Sequence, residues 1–455
     1  MQYSTMHLTH SHPKARKVDN KTSMRIALLT LTTGFWLAAC GQFSDSSDNG
    51  FKVPQSPLLG AVERKSGLIA FINIDGNVYT MNQAGQDLTQ ITTDATLGEG
   101  AIRYYGQVTW APDGLNIAYV SYSGSNLQNV EAHLYVSQSD GSNAREVFAS
   151  DRMTPIFLYW APDSSGLAFL ARLTDGNSGI LRLSKLDGAD SQVLDSGQPL
   201  FWDWAPSSKR MLVHSNGARG DSRLAYLWLE DSIIEEGLPV HIAPFQAPAF
   251  SPDGSHILFA GITDEGDSAL MTLDRNNKRQ QVIEGYEGSV AFQWSPNGEH
   301  IAFGHSQDTP FATQGPLIVM TTQQPPRRLL TIGENVVGFF WSPDGSRIAY
   351  FEGAVSPDAE TRPLGGFTHL ELHVISVPSG ESELLFSFVP SEQFAALLPY
   401  IDQYQRTLTI WSPDSKYLAL SAYTQQGPKI VIAQADGDFE PRLLESGTLA
   451  VWSWK

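Results

Sequence analysis

One short phrase, an aromatic residue followed by Ser or Ala and then Pro, recurs along this chain at near-regular spacing. It reads Trp110-Ala-Pro-Asp-Gly, Trp160-Ala-Pro-Asp-Ser, Trp204-Ala-Pro-Ser-Ser, Phe250-Ser-Pro-Asp-Gly, Trp294-Ser-Pro-Asn-Gly, Trp341-Ser-Pro-Asp-Gly and Trp411-Ser-Pro-Asp-Ser, with a truncated eighth copy at Trp452-Ser-Trp. Successive aromatics are 50, 44, 46, 44, 47, 70 and 41 residues apart. A period of about 40–50 residues, with turn residues and short apolar runs, is the signature of radially repeated four-stranded β-sheets.

Each phrase is followed by an apolar run with a small residue inside it: Ile117-Ala-Tyr, Leu167-Ala-Phe, Ile301-Ala-Phe, Ile348-Ala-Tyr and Leu418-Ala-Leu. Pro fixes φ and Gly tolerates positive φ, so Pro-Asp-Gly reads as a tight turn between an inner strand and a second strand. Asp140-Gly, Asp187-Gly, Asn276-Asn, Ser379-Gly and Asp436-Gly mark later turns in the same repeats. Four strands per period make one propeller blade.

The chain ends are complementary. Gly67–Phe71 matches the second-strand pattern, and Asn77–Met81 and Asp87–Ile91 supply third and fourth strands, with no phrase before them. Leu449–Trp452 supplies a first strand with nothing after it but Ser453–Lys455. The expectation is an all-β, eight-bladed propeller, seven blades being the fallback, in which the N- and C-terminal strands share one blade and leave no open sheet edge. The repeated aromatics then serve as wedges between blades rather than as ligand contacts.

The 455 residues contain a single cysteine, Cys40, so no intramolecular disulfide forms. Cys40 ends Leu37-Ala-Ala-Cys, after the apolar run Ile26–Trp36 and a basic stretch holding Lys14, Arg16, Lys17, Lys21 and Arg25. An apolar run this short reads as a secretory signal, not a transmembrane helix. Residues 1–39 are accordingly expected to be a signal peptide, with Met24 as an alternative start. The Ser/Asp-rich stretch behind Cys40 makes 40–66 a flexible tether, and 67–455 the propeller. Removal of the leader takes away five basic residues and one acidic one, leaving 25 basic against 47 acidic side chains, a net charge of −22. Such a surface repels phosphate backbones, so nucleic acid is not an expected partner.

Two resemblances follow from these motifs. Leu-Ala-Ala-Cys resembles the lipobox of bacterial lipoproteins, which implies cleavage before Cys40, lipidation of that residue and a location on the cell envelope, facing the periplasm or the exterior. Trp-Ser-Pro-Asp-Gly followed by Ile-Ala-Tyr, together with Asp75–Ile91, resembles the WD40-like repeats of the TolB family over residues 67–455. That resemblance implies a propeller. The separate N-terminal domain of TolB-type proteins has no counterpart in the 26 residues between Cys40 and Gly67, so the family's envelope role is not carried over. The same repeats form the propeller of prolyl-oligopeptidase-like peptidases, but no G-x-S-x-G elbow is present.

Catalytic signatures are absent from the sequence: no H-E-x-x-H, cysteine cluster, P-loop or EF-hand spacing occurs. No cofactor is expected. His369, Glu371 and His373 alternate along one strand and share a face, a weak metal candidate whose simpler reading is an exposed polar stripe. More informative is the long interval Trp341–Trp411, whose excess falls in Gly353–Phe367 and in Pro390–Tyr404, with Ser391 as a helix cap. Both insertions open on the same face of a propeller. They point to a binding face including Tyr104, Tyr105, Trp202, Asp203, Tyr404 and Arg406, the alternative being that the helix plugs the central channel. The expected function is a lipid-anchored, non-catalytic scaffold for an envelope protein or polymer. The alternative is a glycan or peptide binder, hydrolase or lyase working in the channel.

Overall fold

The computed structural model describes residues 66–455 apart from 99, 127–128, 175–178, 187–189, 217–221, 231, 245, 308–313, 358–363 and 365. Residues 1–65, with Cys40, the expected signal and all but the last residue of the expected tether, lie outside the described residues, as do parts of the 353–367 loop.

The described residues form a β-propeller of antiparallel sheets. Four sheets have four strands, and one, with Thr96–Gly98 added ahead of Ala101–Trp110, has five. A three-stranded sheet, Tyr417–Thr424 with Gly427–Gln434 and Arg442–Ser446, gains its inner position through the Trp411–Leu418 bridge. The remaining sheet is seven-stranded because Arg328–Trp341 serves two neighbours. Its first part pairs with Gly315–Thr321 and its second with Arg347–Ala354. Divided within that strand, the sheets number eight, the count expected; undivided they number seven, the fallback.

Closure runs through the chain ends as the sequence predicts. Leu449–Trp452 pairs with Ile69–Ile72, in the register Ile69 with Trp452 and Ile72 with Leu449. The truncated phrase is completed across this seam, since Ser453 Oγ accepts the Leu68 N–H at 2.9 Å. It stands where the Ser of an intact phrase accepts an N–H five residues on.

That intact arrangement explains why the phrase repeats. In Trp341-Ser-Pro-Asp-Gly, Ser342 Oγ donates to Asp344 Oδ1 at 2.6 Å and accepts the Arg347 N–H at 2.9 Å. Asp344 Oδ1 also accepts the Ser346 N–H at 3.0 Å. The same bonds recur at Ser251, Ser295 and Ser412. These four Ser-bearing turns therefore satisfy their own polar groups, and the copies with Ala111, Ala161 and Ala205 lack that hydroxyl. At Asp253 the Ser251 hydroxyl, with the Ser255 N–H and hydroxyl, holds the carboxyl down at about 2.

Consecutive turns touch in a closed cycle. Where Ser replaces Gly at positive φ, its hydroxyl accepts the Asp N–H of the preceding turn: Asp113 to Ser164, Asp163 to Ser208 and Asp344 to Ser415. Asp414 reaches Ser66 in the same way, and Gly254, Gly298 and Gly345 sit against Pro206, Pro252 and Asn297. Gly114 lies against Lys455 and closes the cycle.

Between sheets the core is apolar on both sides of each second strand, so these strands do not show one polar face. Ile117 and Tyr119 pack one way, Ala118 and Val120 the other. The recurring alanines, Ala118, Ala168, Ala302, Ala349 and Ala419, are fully buried. All eight phrase aromatics are buried too. Three of their indoles, those of Trp110, Trp204 and Trp411, donate to a carbonyl of the preceding inner strand at 3.0–3.2 Å. These residues are wedges, as the sequence indicates.

Candidate functional site

In each repeat the phrase turn joins strands one and two, so the far ends of the second strands and of the fourth strands lie on the opposite face. The segment 389–411 leaves the fourth strand Ser382–Phe388 on that opposite face. Ser391 caps the helix Glu392–Ala395, accepting the Phe394 N–H at 3.2 Å as its sequence position suggests. A 3-10 turn, Leu398–Tyr400, and a second short helix, Ile401–Tyr404, follow.

The side chains of this segment bond to inner strands all round the ring. Ser391 Oγ donates to the Thr448 carbonyl at 2.6 Å, and Gln393 Nε2 donates to the Gly106 carbonyl. Tyr404 Oη donates to Ile156, Gln403 Nε2 to Leu200 at 3.4 Å and Gln405 Nε2 to Phe292 at 3.0 Å. The Arg406 guanidinium donates to the carbonyls of Trp202 and Ala247, both at 3.2 Å. Gly338 packs against Ile401 and Leu398, and Thr409 Oγ1 donates to Trp452. One short segment can reach all these strands only from the axis. It is a plug.

The predicted site residues fall into place around it. Arg406 and Asp203 form a buried ion pair at 3.3 Å. Asp203 also accepts the Tyr159 hydroxyl at 3.0 Å and the Phe250 N–H at 2.7 Å, so its carboxylate is fully engaged. Trp202 is 1% exposed and packs edge-on to Phe157, whose ring also meets Tyr404. Tyr105 is buried, with its hydroxyl on Asp94 Oδ1 at 2.7 Å beside Arg103. Tyr104, half-buried, stacks on Tyr122. The expectation that Trp202, Asp203, Arg406 and Tyr105 are exposed on a binding face is therefore corrected. Clustered polar and aromatic residues near an axis are as well suited to gripping a plug as to meeting a partner. Cys40 lies outside the described residues.

Asp402 carries the least comfortable charge of the plug. Burial pushes its carboxyl up to about 6, against the pull of Arg406. Nearby, His214 Nδ1 donates to the Gln246 carbonyl, 2.8 Å away, and burial lowers its imidazole from the ordinary value. A carbonyl can only accept, so Nδ1 carries the proton there.

His369, Glu371 and His373 do alternate with the buried Leu370 and Leu372 along His369–Ser376. They do not converge: His373 Nε2 lies 3.4 Å from Glu371 and its ring stacks on Tyr350, while His369 Nδ1 faces the Thr368 hydroxyl at 2.9 Å. Among the described residues no group of three His, Cys, Asp or Glu could hold a metal. None of their helices is long and apolar enough to cross a membrane.

Four large apolar or aromatic side chains are exposed on the plugged face, among polar neighbours such as Asp264, Glu265 and Gln426. Tyr400 of the plug, Tyr423 at the end of Tyr417–Thr424, Val355 after Arg347–Ala354 and Ile74 between Ile69–Ile72 and Val78–Met81 are all exposed. Tyr423 is joined to the plug entry by its N–H bond to Val389. The Ile74 turn adjoins Tyr104 and Tyr105 through the Gly76 carbonyl. Sequence reasoning missed these four, because exposure is decided by which loops cross the axis.

Solved structures similar to this chain include TolB from Acinetobacter baumannii, at 13% identity over 82% of this chain and 77% of that one, with a TM-score of 0.38. Another is an oligogalacturonate lyase from Vibrio parahaemolyticus, at 14% identity over 82% and 98%, with a TM-score of 0.45. A curated relative, the uncharacterized peptidase YuxL of Bacillus subtilis, is 26% identical over 171 residues, and the match spans 23% of that protein's length. No family model matches the chain.

Proposed function

We propose that this protein is a non-catalytic binding scaffold, held at the cell envelope by lipid on Cys40, that engages an envelope protein or polymer through its plugged face. The observation that carries this reading is the plug itself. A propeller working as a channel enzyme needs its axis, and here the axis is filled by side chains bonded to the inner strands. The plug's Tyr400 and the adjoining Tyr423 are exposed, and Tyr is a residue type that makes recognition hot spots.

Capture of a partner from detergent-solubilised envelope tests the siting. Tyr400→Ser with Tyr423→Ser is expected to abolish capture while leaving the unfolding midpoint unchanged. Persisting capture would place recognition elsewhere. Cys40→Ala is expected to release the protein from membranes, and continued attachment would end the lipid reading.

A further inference from the structure

The two faces of the ring differ in where the tether joins them. Ser66, the first described residue, accepts the Asp414 N–H in the cycle of phrase turns, and Gly67 lies against Pro413, Ser453 and Lys455. The tether therefore enters on the phrase-turn face, opposite the plug. Beside its entry stand two exposed large apolar side chains, Leu115 at 65%, the highest such value among the described residues, and Trp454 at 42%. They belong to touching turns, since Gly114 abuts Lys455. Leu88, also exposed, lies on the same face in the turn that follows Val78–Met81.

An exposed Trp in a turn touching one that exposes a Leu is suited to the headgroup boundary of a bilayer, where its indole N–H stays wet and its ring is buried. The local charge is balanced, with Lys416 and Lys455 against Asp113 and Asp414. A whole-chain charge of −18 disfavours an anionic surface, so the chemistry fits zwitterionic lipid. Reach is sufficient. A random coil of 26 residues would span about 28 Å, so an anchor at Cys40 leaves the phrase-turn face within reach of the bilayer.

We propose that the Leu115–Trp454 patch on the phrase-turn face rests on the zwitterionic bilayer into which the Cys40 lipid inserts, and that the plugged face consequently points away from the membrane. This rests on the lipid-anchor reading for the native protein but is testable without it. Cys40 is the only cysteine, so the full chain can be coupled at that thiol to a maleimide lipid in phosphatidylcholine vesicles whose acyl chains are brominated. Bromine quenches indoles at the bilayer boundary. The expected result is quenching that is reduced in Trp454→Ser and in Leu115→Lys, both exposed and both expected to fold. Quenching identical in wild type and Trp454→Ser would overturn the proposal, whatever the native anchor. Flotation of envelope-derived wild type alongside Cys40→Ala reads the anchor separately: its failure with retained Trp454 quenching would sink the lipidation and leave the patch standing.

Discussion

The two faces of this ring are held together by opposite means. On the phrase-turn face, order is local and repeated: the Ser-bearing turns satisfy themselves within six residues, and consecutive turns touch. On the plugged face, order is unique and long-range, with one segment of about twenty residues bonding to strands up to 287 positions away in sequence. A repeated local device shares any defect among many copies. A single keystone concentrates it. Mutations at the plug should therefore act on the whole ring, and mutations at a turn should be absorbed.

The largest expected effect is that of Arg406→Met. It strands the buried Asp203 carboxylate and two carbonyls, and breaking such a pair from one side costs about 3–5 kcal/mol. Denaturant unfolding measures it; a loss below about 1 kcal/mol would remove the plug's special status. Next comes Asp402→Asn, through pH. Burial holds that carboxyl at about 6, above its ordinary value near 4, so the folded state binds the proton more tightly than the unfolded one. The resulting stability is fully present below about pH 4 and is lost as pH rises through about 6. The change is worth roughly 3 kcal/mol for two pKa units. Unfolding at pH 4 and pH 7.5 should show this gap in the wild type and a smaller one in Asp402→Asn.

On the opposite face Ser412→Ala removes a hydroxyl that accepts the Tyr417 N–H and donates to Asp414, and should cost about 1–2 kcal/mol. The smallest effect is that of Ser415→Gly. It relieves a positive φ of 61° while deleting one bond from Asp344, two changes of opposite sign that leave about 0.5 kcal/mol or less. Should Ser415→Gly prove as damaging as Arg406→Met, the contrast between shared and concentrated order would fail.

The same contrast accounts for what could be read from the chain beforehand. Turns, wedge aromatics and the pairing of Ile69–Ile72 with Leu449–Trp452 follow from short motifs whose chemistry is contained in the motif. The plug was visible only as an irregular spacing, since Gln393, Gln403 and Gln405 bind backbone carbonyls, which every residue type supplies. Asp203 and Arg406 stand out in the sequence only as two members of a wider binding face, from residue type and loop position. Their burial against one another depends on a segment threading the axis, which no periodicity encodes.

The seam where Ser453 accepts the Leu68 N–H joins residues 385 positions apart. During synthesis the strand Ile69–Ile72 has no partner for its inner edge until Leu449–Trp452 has been made. Ring closure is therefore a late and non-local step, the kind of contact whose loop-closure entropy slows folding.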